Sequence, residues 1–422
     1  MTSSTLRHLL AASVLFAPLA LLATEATAIE IFSDEDSGNS LKLTGFFQPY
    51  FRQVQDMCVR QVVSNPDDPT VFSTECAASS TASTTGFGMT RARLGVEGSM
   101  FGFTTYKFEL ESIPQVSILE AQLNARIVDG LTWRLGRYRV PYSGQELVSE
   151  SRLAMDRAEI IRSTPGRQLG TSMRFELHPF VPALPDGFMN VEFGVFNGES
   201  DKARQPVNNI DDTFLYGGRA EISPFGAPAS RMEGDLRPLD ERRHPVLHAG
   251  GGWTSNVDQT ANFEEMIYGF DLTFRWHGLF LYGEYMRANR NYRTLQAGVD
   301  RYALGWNAQF GYMIPAPYLR NHLELVGRVE FYDPETAAFP DDVEGLLARG
   351  PGGGPASSLR LQGQRNYTAG LNWYFSGHDF KLQVNYTHRR ATEDWVGSFN
   401  NPDLVERDDK DDTLLIQATY RF

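Results

Sequence analysis

Lysine is nearly missing from this 422-residue chain. Lys42, Lys107, Lys202, Lys381 and Lys410 are the only ones among 39 basic residues, which face 52 Asp and Glu for a formal net charge of −13. That acidic balance excludes a broadly basic, nucleic-acid-binding surface. Cysteine is as scarce. Cys58 and Cys76 are the only two, which excludes a disulfide-rich scaffold, and no neighbouring His completes a metal site. After residue 28 no apolar run approaches the ~18 residues of a membrane helix, so a helical span is excluded. Catalytic signatures are absent as well: G-x-S-x-G and H-E-x-x-H do not occur, and the eight His residues are scattered. The nearest catalytic candidate, His388, falls in register with Val384 and Tyr386 on an apolar face, away from Asn385. The expectation is a protein that is not an enzyme and needs no cofactor or metal.

What is present begins with an export signal. Arg7 and His8 precede the apolar run from Leu9 to Ala23, and Ala26-Thr27-Ala28 supplies an A-x-A site. Residues 1–28 therefore read as a signal peptide cleaved after Ala28. In the oxidising compartment beyond, Cys58 and Cys76 are expected to form one disulfide closing a loop. Residues 29–40 read as a short acidic periplasmic segment, and residues 41–422 as one unit.

That unit alternates. Ala92, Leu94 and Val96 oppose Arg91, Arg93 and Glu97; Leu119, Ala121, Leu123 and Ala125 oppose Glu120, Gln122, Asn124 and Arg126. Phe380, Leu382, Val384 and Tyr386 oppose Lys381, Gln383, Asn385 and Thr387. Period-two alternation puts one face against an apolar medium and the other against a polar one. Many segments run about ten residues, the length of a tilted bilayer-crossing strand. Short connections (Asp129-Gly130, Trp276-His277-Gly278) alternate with long ones, and about sixteen segments can be counted. The fold class expected is all-β: a transmembrane antiparallel β-barrel of about sixteen strands in a bacterial outer membrane. Two connections, Pro179 to Gly187 and Ser223 to Pro245, are long for the short-turn side, and the second leaves room for an uncounted strand pair.

The stretch from Arg139 to Gly170 is too long for a turn. Arg139, Arg152, Arg157, Arg162 and Arg167 are interleaved there with Glu146, Glu150, Asp156 and Glu159. Long structured loops carry function, and this one is expected to fold into the barrel and set what passes. On the walls, Arg91, Arg93, Arg126, Arg174, Arg219, Arg328 and Arg421 should point inward by alternation. Arginine rings are a device of anion and phosphate pores. A competing reading pairs these arginines with inward carboxylates such as Glu97, Glu109, Glu111 and Glu120, to stiffen the wall.

The chain resembles the bacterial phosphate-selective porin O and P family. Phe87 to Gly98 is similar to its arginine-bearing second strand, and Leu135-Gly136-Arg137-Tyr138-Arg139-Val140-Pro141-Tyr142-Ser143, with Glu146 and Ser149, to its run into the third loop. Asp156-Arg157, Arg167-Gln168-Leu169-Gly170, Val195-Phe196-Asn197-Gly198 and Gly370 to Tyr374 match further family features. A terminal Phe422 closing an alternating strand resembles the recognition signal of outer-membrane proteins. The resemblance implies a sixteen-stranded homotrimeric pore with loop three folded inward, embedded in lipid and lipopolysaccharide. The expected function is passive diffusion of small hydrophilic solutes, with anion or phosphate preference through an arginine-lined constriction. Arg91, Arg93, Arg126, Arg152, Arg157, Arg162 and Arg167 are the candidate anion path, and Glu146 and Asp156 the candidate loop braces. A sugar or organic-acid channel lined by Tyr138 and Tyr142, or a non-conducting adhesin, remains as an alternative.

Overall fold

A computed structural model describes residues 28–422 except 56–59, 66–67, 77–83, 199–211, 227–232, 259–262, 293–299, 317–318, 320–321, 338–362, 392–394, 399–400 and 407–409. Sixteen strands make one antiparallel sheet that closes on itself. In chain order they are β1 (Asn39–Gln55), β2 (Thr84–Met100), β3 (Thr104–Glu111), β4 (Ser117–Val128), β5 (Leu131–Arg139) and β6 (Arg167–Glu176). Then come β7 (Met189–Phe196), β8 (Leu215–Ile222), β9 (Val246–Asp258), β10 (Phe263–Trp276) and β11 (Leu279–Tyr292). The last five are β12 (Asp300–Met313), β13 (Leu323–Ala337), β14 (Gln364–Ser376), β15 (Phe380–Ala391) and β16 (Lys410–Arg421). Each pairs with its chain neighbour, and β1 pairs with β16 from Phe46↔Arg421 to Gln55↔Asp412. An even strand number and closure leave no open edge along the barrel wall.

The alternation explains the two faces. Leu94, Leu123, Leu135, Phe193, Leu281, Phe310, Leu325 and Leu371 stand exposed on the outer face. So many apolar side chains in contact with water would be an aggregation surface; in hydrocarbon they are solvated. At the end with the short connections, His277 (φ 50°) and Gly278 (φ 85°) turn β10 directly into β11. A two-residue hairpin of this kind needs positive φ at both central positions.

Three features depart from the sequence reading. Ile29–Asp34, read as an acidic segment, is a short strand paired with Asn39–Leu43 of β1, in line with the end of β16. Among the described residues, 223–245 hold one 3-10 turn (Glu241–Arg243) and no strand, so the suspected extra pair is not there. The third departure is an apolar cluster on the polar face. Ile267, Met286, Ala288, Ala303 and Tyr332 are buried together with Val140, Tyr142, Ala158 and Ile160. These strand positions break the expected inner polarity because residues 140–166 lie on them.

Candidate functional site

The segment 140–166 is built from short turns. Ser143 Oγ accepts from the Glu146 amide (3.1 Å) and opens a single helical turn, α1 (Gly144–Leu147). Two 3-10 turns follow, Glu150–Arg152 and Glu159–Ser163, and the Val140 amide donates to the Gly166 carbonyl (3.0 Å) at the base. Short turns leave many carbonyls unpaired, and wall side chains satisfy them. Arg219 of β8 donates to the Tyr142 carbonyl (2.7 Å). Gln383 of β15 and Asn372 of β14 donate to the Ala154 carbonyl (2.7 and 2.8 Å), Lys381 donates to that of Leu153 and Arg328 to that of Asp156. The Glu159 amide donates to Glu330 of β13 (2.9 Å). Gly252 on β9 makes one close approach possible: a Cβ there would sit 2.4 Å from the Tyr142 carbonyl oxygen.

At the centre stands Glu150. Its Oε2 accepts from Arg139 Nη2 (2.8 Å) and Arg93 Nη1 (2.9 Å), and its Oε1 lies 3.4 Å from Arg157 and 3.9 Å from Arg167. The arginines have further carboxylates: Glu111 for Arg93 (2.7 Å), Glu120 for Arg167 (3.1 Å) and Glu146 for both Arg157 (3.4 Å) and Arg139 (3.6 Å). Burial pushes the Glu150 carboxyl up, but Arg93, Arg139, Arg157 and Arg167 outweigh it and hold it well below the usual carboxylate range. Four guanidinium groups and four carboxylates thus brace the segment with no clear excess of either charge.

Two other candidates differ. Arg91 donates to Gln48 Oε1 (2.8 Å), and Arg152 lies beside Arg421; among the described residues neither has a carboxylate within ion-pair distance. Burial and then Arg421 lower the pKa of Arg152. Arg126 points to the inner face but sits beside the β2–β3 turn, bonded to the Gly102 carbonyl (3.3 Å) and near Asp129 (3.8 Å), so it is not brought to the cluster. Arg162 lies in the second 3-10 turn, with its side chain outside the described residues. Asp156 meets Arg328 through its backbone carbonyl, while the residue itself is exposed; its bracing is not by the carboxylate. Cys58 and the Cys76 side chain lie outside the described residues. Alternation did not single out Arg139 and Glu150, because it reports a face and not a partner. His388, on the outer face, pairs with Asp412 (2.6 Å).

Cavities flank the segment. One of about 530 Å³, toward the short-turn end, is lined by residues of β2 to β6 and the segment. Its six cationic side chains (Arg93, Lys107, Arg134, Arg139, Arg152, Arg174) exceed its three carboxylates (Glu109, Glu120, Glu176). The other, about 560 Å³ toward the long-loop end, is nearly balanced: Arg52, Arg91, Arg157, Arg328 and Arg389 against Glu150, Asp156, Glu159 and Glu330.

A closed sixteen-strand barrel with an apolar outside, a polar inside and alternating short and long connections defines an outer-membrane porin. The chain belongs to the phosphate-selective porin O and P family, which matches residues 77–422. An uncharacterized protein of Aquifex aeolicus is 22% identical over 311 residues, covering 70% of this chain and 65% of that protein's length. The fold is shared with the trimer form of the Vibrio cholerae outer membrane protein OmpT (TM-score 0.52, 10% identity, covering 91% of this chain and 100% of that one). It is shared too with the Acinetobacter baumannii outer membrane channel DcaP (TM-score 0.50, 11% identity, 94% and 100%).

Proposed function

We propose that this protein is a passive outer-membrane porin in which residues 140–166 fold inward as the constriction, and in which Arg91 and Arg152 supply anion preference. The observation that carries the reading is the division among the arginines. Arg93, Arg139, Arg157 and Arg167 converge on Glu150 and serve as braces, whereas Arg91 and Arg152 face the two cavities without a carboxylate partner among the described residues. A cation in a narrow, low-dielectric passage focuses its field and raises the local anion concentration. Inward folding is supported by the wall donors that hold carbonyls 153–156, on strands β13 to β15, remote in the sheet from β5 and β6, which carry the segment. The same reading includes export by a cleaved signal peptide, homotrimeric assembly in lipid and lipopolysaccharide, and phosphate among the permeant anions. Tyr142 speaks against a sugar path lined by Tyr138 and Tyr142, since Tyr142 is buried against the wall and of this pair Tyr138 alone lines one of the two cavities.

Planar-bilayer reversal potentials in a KCl gradient test the proposal. Wild type should prefer chloride; Arg91→Ala with Arg152→Ala should abolish the preference, while Arg157→Ala should alter conductance more than selectivity. A cation-preferring wild type sinks the anion reading, and absence of conductance sinks the pore. Phosphate block of a small chloride current separates a phosphate site from general anion preference.

A further inference from the structure

The connection between β8 and β9 (residues 223–245) belongs to the short-turn end, where the β2–β3, β4–β5, β10–β11 and β14–β15 connections take two or three residues. Part of it leaves the rim. Glu233 is buried, and its Oε1 accepts from Gln145 Nε2 of α1 (2.8 Å). Its Oε2 accepts from the Ala154 amide (2.8 Å) and from Gln309 Nε2 of β12 (2.8 Å). Its amide donates to the Arg152 carbonyl (2.9 Å), and its carbonyl accepts from His378 Nε2 (2.9 Å) in the β14–β15 turn. One residue therefore ties the 140–166 segment to two separate parts of the wall. Next to it, Gly234 lies so close to Glu324 of β13 that a Cβ would sit 2.8 Å from the carboxylate. Asp235 is fully buried; it accepts from the Gly278 amide (2.9 Å) and pairs with Arg237 (2.6 Å), while the Arg242 carbonyl accepts from the His277 amide (2.9 Å).

We infer that residues 233–244 close the barrel from the short-turn end as a second plug: 233–235 reach inward and meet the constriction segment at Glu233, and 236–244 lie across the rim. On the short-turn side of the constriction they together close the part of the lumen bounded by β9 to β15 and confine solute there to the β2–β6 wall. The cavities agree in position. The space left beside Glu233, Arg275, Phe280 and Tyr282 is about 40 Å³, room for about one water. The 530 Å³ cavity is lined by β2 to β6 and the segment alone. Glu233 is a positioning residue: it touches no permeant ion and acts through Gln145, Arg152 and Ala154. A carboxylate suits this place because it accepts three donors at once, two on one oxygen, which a side-chain amide with one acceptor oxygen cannot match.

The inference rests on the porin reading and is tested beside it. Glu233→Ala, checked for a folded barrel by heat-modifiable electrophoretic mobility, should show roughly doubled single-channel conductance and a noisier open state as the closed section fills with electrolyte. Glu233→Asp should restore part of the quiet state. Gln309→Ala, which removes one wall donor, should shift noise in the same direction if Glu233→Ala does not fold. Trypsin gives a readout free of conduction: Arg242, buried in wild type, should be cut slowly there and quickly in Glu233→Ala. A conducting wild type whose folded variants keep its conductance, noise and cleavage rate overturns the plug alone. Rapid cleavage of wild type at Arg242 overturns it too, whereas a wild type that is silent but protease-resistant overturns only the porin reading.

Discussion

At the residue scale the controlling charge is Glu150. Removing one partner of a buried ion pair leaves the others uncompensated and costs about 3–5 kcal/mol; the cluster borders two polar-lined cavities, so the lower end applies here. Glu150→Gln should loosen the segment and, with four guanidinium groups then facing three carboxylates, strengthen chloride preference in reversal-potential measurements. An unchanged or weaker preference would mean that these arginines do not face the ion path. The pH sign follows from the depressed carboxyl. Its stabilising contribution is present above the unfolded value of about 4.3 and is lost only as pH falls through the lower folded value. The difference in selectivity between wild type and Glu150→Gln should therefore stay flat from pH 8 down to about 4.5, and a midpoint of that difference inside the window would contradict the ionised cluster. Alternation correctly set Arg91 and Arg93 on the inner face. It could not distinguish them, because the partners that occupy Arg93 are 18 and 57 residues away in sequence and, among the described residues, none of comparable charge reaches Arg91.

At the element scale the segment depends on what the wall leaves out. Gly252 stands in a run of three glycines that weakens a strand on its own terms, since glycine adds no packing and loses backbone entropy. Its use becomes visible only when the Tyr142 carbonyl is found against it, held by Arg219. Gly252→Val should push that backbone away at a cost of about 1–3 kcal/mol, the range for forcing volume into a packed site. The barrel should still show folded mobility, while the conductance becomes heterogeneous; a uniform wild-type conductance would show that the contact does not position the segment. The apolar cluster carries the same lesson. Met286, Ala288 and Ala303 look out of place on a polar inner face until Ile160 and Tyr142 cover them. Strand existence is local and was legible, whereas docking joins parts of the chain that only the closed barrel brings together.

For the whole molecule the seam between first and last strand decides closure. Ten-residue alternation, with turns and loops taking turns, was enough to count sixteen strands, since each is set by its own pattern. The seam joins residues more than 350 apart and was visible only as an aromatic end to an alternating strand. There the Gly45 amide donates to the Phe422 carbonyl (2.8 Å) and the Phe422 amide to the Gly45 carbonyl (3.0 Å). The Phe422 ring covers Gly45, stacks 6.4 Å from Phe47 and lies tilted 6.0 Å from Tyr420. The ring is half-buried, so Phe422→Ala should cost roughly 1–2 kcal/mol, below the ~3–5 kcal/mol of a fully buried Phe. The backbone pair survives that change, so the loss should appear as a lower temperature for the shift from folded to unfolded electrophoretic mobility. Deleting Ile29–Asp34 provides the contrast. That strand pairs with Asn39–Leu43, just beyond the seam's last pair at Phe46, so its loss should leave the seam and the mobility shift unchanged. A deletion that lowers the shift as far as Phe422→Ala would mean that the short strand takes part in closure.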